Sequence, residues 1–337
     1  TSLTTPSFSE LGLPTSLVRV LAARGIIVPT PIQAATLADT LAGRDVLGRG
    51  RTGSGKTYAF LLPLVARLSA SKTRTRSRAP RALILAPTRE LVGQIEAALQ
   101  PLAAVAGLTS VSVFGGVGHE PQVRALRGGA DIVLACPGRL EDLIARGACT
   151  LSDVEVTVLD EADHMVDLGF LPPVKRLLTQ TPRDGQRMLF SATLDAGVSA
   201  LVTRFLRRPV THEADSAVEA EGQTTHHVLH VAPEQRLPVV ADLASAPGPT
   251  VVFTRTKSRA KTLTRQLNAQ GVTAVELHGN LSQGARTRNL DAFHAGRAGA
   301  LVATDIAARG LDFPAVDWVV QVDAPESRDT YIHRVGR

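Results

Sequence analysis

The feature that most constrains this chain is Gly50-Arg51-Thr52-Gly53-Ser54-Gly55-Lys56-Thr57, which fits the phosphate-loop pattern G-x-x-x-x-G-K-[ST]. A short apolar run, Asp45 to Leu47, precedes it and reads as a buried strand. Thr57-Tyr58-Ala59-Phe60-Leu61-Leu62 follows and reads as the start of a helix. Glycines let the backbone curl so that successive N–H groups point into one hollow, where the helix N-terminus adds positive potential. Lys56 is placed to reach the outer phosphates of a nucleotide, and Thr57 to put a hydroxyl on Mg²⁺. A lone G-x-G arises easily as a chance turn; a full match between a strand and a helix does not. The pattern predicts a nucleoside triphosphate site built from Thr52, Gly53, Ser54, Gly55, Lys56 and Thr57.

Short apolar runs recur after this loop: Ala82–Ala86, Ser110–Phe114, Asp131–Ala135, Val156–Leu159 and Met188–Phe190. Helical segments lie between them, at Leu91–Leu102, Gln122–Leu126, Arg139–Arg146 and Val174–Leu178, and Asp195 to Pro209 reads as a closing helix. Runs that are apolar throughout suit strands covered on both faces, hence an α/β fold with a mostly parallel sheet and helices on each side. Thr57, Thr88-Arg89, Gly115-Gly116, Asp160-Glu161 and Ser191 all fall just after a strand, where an open parallel sheet forms its ligand crevice. With 337 residues the chain suits two domains. The expected boundaries are 1–209, a polar and acidic linker at 210–223, and 224–337. In the last segment the alternation restarts, with strands at Val228–Val231, Val251–Phe253, Ala274–Leu277, Ala300–Ala303 and Val319–Val322 and no second phosphate loop.

Hydrophobic content of 44% with 20% charged residues excludes wholesale disorder, and no apolar run is long enough to span a bilayer. Cys136 and Cys149 lack the spacing of a metal site and read as packed thiols of a reducing, cytoplasmic compartment. A net charge of +6 favours a polyanionic partner, though arginine used for solubility is the plain alternative. Aromatic residues make up only 4%, which argues against a platform of stacked bases and for contacts to a phosphate–sugar backbone. The run from Ser69 to Pro80, with Lys72, Arg74, Arg76 and Arg78, reads as a solvated loop.

A phosphate loop needs a carboxylate on a neighbouring strand, and Val156-Thr157-Val158-Leu159-Asp160-Glu161 supplies two. Asp160 is placed to bind Mg²⁺ and Glu161 to polarise a water for in-line attack on the γ-phosphate. Asp160-Glu161-Ala162-Asp163 spells D-E-A-D, and from here the chain resembles the DEAD-box RNA helicases of superfamily 2 over nearly its whole length. Gly25 through Pro29-Thr30-Pro31-Ile32-Gln33, with Phe8 upstream, resembles the Q motif. Pro87-Thr88-Arg89-Glu90-Leu91 resembles motif Ia, Gly115-Gly116 the GG motif, Pro137-Gly138-Arg139 motif Ib and Ser191-Ala192-Thr193 motif III. Val252 to Thr256 resembles motif IV, Gln283 with Arg286 the Q-x-x-R pair, Ala303 to Asp312 motif V, and His333-Arg334-Val335-Gly336-Arg337 the start of motif VI.

The resemblance implies two RecA-like domains and an ATP- and Mg²⁺-dependent RNA helicase that remodels short duplexes with little sequence specificity. It assigns Gln33 to adenine, and Arg89, Gly116, Arg139 and Thr304 to the RNA backbone. Asp312 goes to the ribose hydroxyls, and Asp163, Ser191 and Thr193 to coupling of hydrolysis with domain closure. His333 and Arg337 are assigned to the γ-phosphate. The family motif runs H-R-x-G-R-x-G-R, so a chain stopping at Arg337 implies a second domain cut short. Four departures stand out: Ile26 for the usual aromatic of the Q motif, Gly50-Arg51 for Ala-Gln, Cys136 for the motif Ib threonine, and Val92 for a common alanine. None removes a catalytic group. Two rival readings stay open on these motifs, a DNA translocase of the same superfamily and an ATP-gated RNA clamp that scarcely unwinds.

Overall fold

The computed structural model describes residues 6–50, 53–214, 225–308, 313 and 316–335. The chain divides into two units, Thr1–Gly222 and Gln223–Arg337. The first opens with two helices, α1 (Thr15–Ala23) and α2 (Pro31–Leu41), then β1 (Val46–Arg49) and α3 (Lys56–Ala70) around the glycine-rich loop. Next come β2 (Ala82–Leu85), α4 (Arg89–Ala106), β3 (Ser110–Val113), α5 (His119–Gly128), β4 (Ile132–Ala135) and α6 (Pro137–Ala145). After β5 (Val156–Leu159) lie α7 (Ala162–Asp167), α8 (Leu171–Gln180), β6 (Gln186–Ser191), α9 (Ala196–Phe205) and β7 (Val210–Glu213).

These strands form one parallel sheet in the order β3-β4-β2-β5-β6-β1-β7. The strand bearing the two carboxylates is thus separated from the strand feeding the phosphate loop only by β6. Successive residues in each strand point to opposite faces. Ile84, Val158, Met188 and Phe190 enter a core under α1–α4, while Leu83, Leu85, Leu159 and Leu189 enter a second core under α5–α9. Each such side chain, fully buried, contributes about 1.5–3 kcal/mol, which is why the apolar runs lack polar alternation.

The second unit contains α10 (Arg236–Ala244), β8 (Thr250–Thr254), α11 (Lys257–Ala269), β9 (Ala274–Leu277), α12 (Gln283–His294), β10 (Ala300–Thr304), α13 (Asp305–Ala308), β11 (Trp318–Gln321) and α14 (Arg328–Val335). Its four strands are also parallel, in the order β11-β8-β10-β9. Val252 and Val302 face α10 and α11, while Phe253, Leu301 and Ala303 face α12 and α13.

Two expectations need correction. Val210–Glu213, taken as the start of the linker, is β7: it pairs in register with Val46–Arg49, half of its residues exposed as befits an edge strand. Residues 215–223 of the expected linker lie outside the described residues. Conversely, Val228–Val231 is not a strand; Val228 is 99% exposed and Leu229 55%. Strand propensity needs a neighbour to supply the ladder, and among the described strands none pairs with this run.

A buried cation ties the loop before β2 to the sheet. The Arg81 side chain, 4% exposed, donates to Glu155 (2.9 Å), Asp131 (3.5 Å) and the Leu68 carbonyl (2.8 Å). Asp131 also accepts from the Thr75 hydroxyl and from Thr109 N–H at 2.9 Å. Burial by itself would raise the Asp131 pKa, but these hydrogen bonds and Arg81 outweigh it and hold the carboxyl below its ordinary value. A depressed carboxyl stabilises the fold above its unfolded pKa and loses that contribution as pH falls through the native value. Arg81→Met should therefore cost about 3–5 kcal/mol at pH 7, the expected loss for one member of a buried ion pair, and less near pH 3. Urea unfolding at both pH values checks this; an equal deficit at the two would place the cost in packing rather than charge.

Candidate functional site

The loop after β1 curls because two of its glycines take left-handed backbone, Gly53 at φ 82° and Gly55 at φ 90°. Gly55 caps α3, and a Cβ there would lie 2.6 Å from Thr30 Oγ1 and 2.7 Å from Gln33 Nε2. Only glycine allows α2 to close so tightly on the loop. Gln33, 2% exposed, uses both ends of its amide: Oε1 accepts from Thr30 N–H (3.0 Å) and Nε2 donates to the Gly55 carbonyl (2.9 Å). Lys56 donates from Nζ to the Gly50 carbonyl at 2.8 Å and is 7% exposed. Ser54 Oγ is buried without a partner among the described residues. Thr57 follows in the first turn of α3, partly buried, and Thr52 lies outside the described residues. Lysine, an unpaired hydroxyl and the free N–H groups of a helix start together make an anion site.

Across the sheet, β5 ends in the expected carboxylates. Asp160 is 3% exposed and its Oδ1 accepts from Glu161 N–H at 3.0 Å. Glu161 adopts φ 51°, a left-handed turn uncommon for a residue with a Cβ. Burial pushes the Asp160 carboxyl up to about 7; Lys56 opposes the rise, and Glu161 adds to it. Burial acts on Glu161 in the same sense, but the hydrogen bond with His164 (Nδ1···Oε2 3.3 Å) and the charge of Lys56 hold it below its ordinary value. A buried carboxyl that the Lys56 charge answers only in part, together with a threonine hydroxyl, is a hard-oxygen donor set suited to Mg²⁺. Such an ion keeps water and phosphate as most of its ligands and needs only one or two carboxylates.

Asp163, Ser191 and Thr193 come together. Asp163 Oδ2 accepts from Ala192 N–H (3.1 Å), Thr193 N–H (3.0 Å) and Thr193 Oγ1 (3.1 Å), and Ser191 Oγ accepts from Asp163 N–H (3.2 Å). The turn after β5 is thereby latched to the loop after β6. A second group gathers at the ends of β2, β3 and β4. Arg89 reaches the Gly115 carbonyl (3.4 Å) and Arg139 the Val117 carbonyl (3.0 Å), with Gly116 between them at φ 82°. A Cβ on Gly116 would strike Arg89. Two guanidinium groups beside an open glycine turn suit successive phosphates. Cys136, beside them, has its thiol pushed up to about 12 by burial with Glu90 adding, so it packs as an inert side chain.

In the second unit Thr304 ends β10, 7% exposed. His333 lies on α14, though its side chain, like Asp312 and Arg337 altogether, is outside the described residues. Four residues were given no individual role by the sequence. Asp45 is 4% exposed and accepts from Arg187 N–H (2.8 Å) and Arg207 N–H (2.6 Å). Thr30 abuts Gly55. Arg334, 2% exposed, pairs bidentately with Asp305 (2.6 and 2.8 Å) over the Phe253 ring. His164 touches Glu161; its place three residues after that carboxylate, one helical turn on, was the available signal.

Since Gln33 braces the loop from behind, Gln33→Ala should loosen the phosphate cradle as well as any base contact. The expected result is a Kd for ATP raised on the order of tenfold, about 1.4 kcal/mol, with a smaller ATP-over-GTP preference. Titration with fluorescent nucleotides checks it; an unchanged Kd would show that the loop keeps its shape unaided.

Known proteins are similar to this chain in sequence and in fold. Residues 30–201 match the family described as DEAD/DEAH box helicase, and residues 235–337 the helicase conserved C-terminal domain. The chain is 41% identical to the DEAD-box ATP-dependent RNA helicase 3A, chloroplastic, of Zea mays, over 98% of its own length and 45% of the maize protein. It is 36% identical to CshA of Geobacillus kaustophilus over 98% of its length and 70% of that protein. The chain thus spans less than half of the maize relative. Among solved structures, Saccharomyces cerevisiae Dbp5 bound to RNA and ADP BeF3 aligns with a TM-score of 0.81 at 28% identity, covering 98% of this chain and 85% of that one. With both family profiles matched in order on two parallel α/β units that carry the D-E-A-D turn beside a phosphate loop, the chain belongs to the DEAD-box helicase family.

Proposed function

We propose that this protein is an ATP-dependent RNA helicase that remodels short RNA duplexes through a clamp of two RecA-like domains, the units Thr1–Gly222 and Gln223–Arg337. The observation that carries the reading is the buried Asp160–Glu161 turn, set one strand from the Lys56 loop and latched through Asp163 to Ala192 and Thr193. Lys56 exchanges the Gly50 carbonyl for phosphate oxygens. Thr57 and Asp160 would hold Mg²⁺, which would supply charge neutralisation on the phosphates. Glu161 polarises the attacking water and takes its proton. Gln33 adds the adenine contact, Asp312 the ribose contact, and His333 with Arg337 approach the γ-phosphate; an arginine finger is worth about 10³–10⁵ in rate.

Arg89, Gly116, Arg139 and Thr304 grip single-stranded RNA by its backbone, so little sequence preference follows. RNA held in a bent track cannot remain in a continuous duplex, and closure opens short helices while hydrolysis reopens the clamp. RNA is the polyanion that the +6 charge anticipates, and the bound state of yeast Dbp5 supports that choice. Two free cysteines accord with a cytoplasmic location, and among the described residues no helix is long and apolar enough to cross a membrane.

Glu161→Gln should leave Mg²⁺–ATP binding nearly intact and reduce turnover to background, in assays of phosphate release and of short-duplex release on RNA and on DNA. Turnover at the parent rate would remove Glu161 from its role, and equal release of DNA would remove RNA as the substrate. Binding to single-stranded RNA should rise with ATP and fall steeply with salt through counter-ion release. Because burial pushes the Asp160 carboxyl up to about 7 even with Lys56 beside it, Asp160 would have to give up a proton to hold Mg²⁺ below that pH. Mg²⁺–ATP affinity should therefore weaken as pH falls from 7 towards 6, and calorimetry in buffers of different ionisation enthalpy should register proton release. A pH-independent affinity would separate Asp160 from the metal.

A further inference from the structure

We propose that His164 is a positioning residue that fixes the carboxylate of Glu161 for its attack-water, an assignment that rests on the role given to Glu161 above. The backbone of Glu161 is already determined. It sits in a left-handed turn at φ 51°, its N–H bound by Asp160 Oδ1 (3.0 Å) and its carbonyl accepting from Met165 N–H (3.0 Å) as α7 begins. What remains free is the side chain, whose several torsions can swing the carboxylate by ångströms. His164 lies one turn further along α7 and is 4% exposed; its Nδ1 meets Glu161 Oε2 at 3.3 Å. With Oε2 held there, Oε1 is the oxygen left to face water.

Two further observations point to this bond as the reason for a histidine. His164 Nε2 is buried with no partner among the described residues. A histidine kept for packing usually has both nitrogens satisfied, and leucine would fill the space without stranding a buried polar atom. The ring is accounted for by what Nδ1 does. The histidine is also joined to the latch: its backbone N–H donates to Asp163 Oδ1 (3.0 Å), while Asp163 Oδ2 holds Ala192 and Thr193. A path of direct hydrogen bonds therefore runs from the loop after β6 through Asp163 and His164 to the carboxylate that works on water. Among the described residues, Asp160 and Lys56 are the further charged groups that act on Glu161 or Asp160 here.

Leucine and asparagine separate positioning from packing, since leucine keeps the bulk and loses the donor, whereas asparagine loses bulk but sets an amide N–H close to where Nδ1 stands. The readouts are RNA-stimulated kcat and KM for ATP, nucleotide Kd, and Tm of the whole chain. His164→Leu should lower kcat about 10–100-fold, the scale of an ångström's misplacement of a reacting group, with KM and Kd within about twofold and Tm unchanged. His164→Asn should recover kcat to within about threefold of the parent. Where leucine lowers Tm, His164→Met supplies the same test with a more adaptable side chain. Parent-like kcat in the apolar variants overturns the proposal, as does a loss in asparagine equal to or greater than that in leucine. Glu161→Gln is measured alongside: if it keeps turnover, the catalytic reading itself fails, whereas an inactive Glu161→Gln with a fully active His164→Leu rejects the positioning role alone.

Discussion

Three carboxyl groups buried within four residues, Asp160, Glu161 and Asp163, are the constraint around which the first sheet is arranged. Buried charge is costly unless it is paired, hydrogen-bonded or neutralised, and each of the three meets the cost differently. Asp163 is surrounded by donors from Ala192, Thr193 and His164. Glu161 stays ionised through His164 and Lys56, while Asp160, with the least support, moves up to about 7. The strand order serves this division: β6 lies between β5 and β1, so its end supplies the Asp163 donors while the Lys56 loop stands beyond it. The charge left incompletely answered is Asp160, and a divalent cation with phosphate is the kind of ligand that answers it.

The fold was legible where burial on both faces of a strand leaves one possible pattern. Ala82–Leu85, Ile132–Ala135 and Val156–Leu159 carry almost only apolar residues, and all are central in the sheet. Legibility failed at edges. Val210-Thr211-His212-Glu213 has one neighbour and solvent beyond, so its composition is that of a loop although its backbone is paired along its length. Val228–Val231 errs in the other direction, for its apolar residues suit a strand but the ladder that would make them one is not among the described pairings. Hydrophobic pattern reports faces covered; it does not report hydrogen-bond partners.

The same distinction governs the site. Residue types with one chemical use, such as Lys56 after glycines or two acids closing a strand, announced themselves. Gln33 was recognised, yet its engagement with Gly55, twenty-two positions away, was not, because nothing local to Gln33 encodes the approach of α2 to the loop. The clue lay on the other partner: Gly55 leaves no room for a Cβ between Thr30 and Gln33. His164 and Asp45 were given no role since a lone histidine or aspartate is usually structural, and only their contacts in the fold lift either above that expectation.

Arg334 shows why the second sheet follows the same logic with opposite charge. A guanidinium 2% exposed is not a cheap way to stabilise a domain, as an apolar group of equal volume would cost no desolvation. What it provides is direction: five fixed donors that only one arrangement of acceptors satisfies. Asp305 takes two of them, and Gln321 and the Asp323 carbonyl share the Nη1 side at 3.2 and 2.7 Å. Phe253 lies beneath at 5.2 Å, which makes an apparently ordinary core aromatic the floor of an ion site. The acceptors belong to the start of α13 and the end of β11, and the donor to α14. One buried cation thereby sets the angle of the helix bearing His333 against the strand end bearing Thr304, one residue before Asp305. A lysine could match the charge but not the geometry, so the sequence uses arginine where position, rather than stability, is what has to be specified.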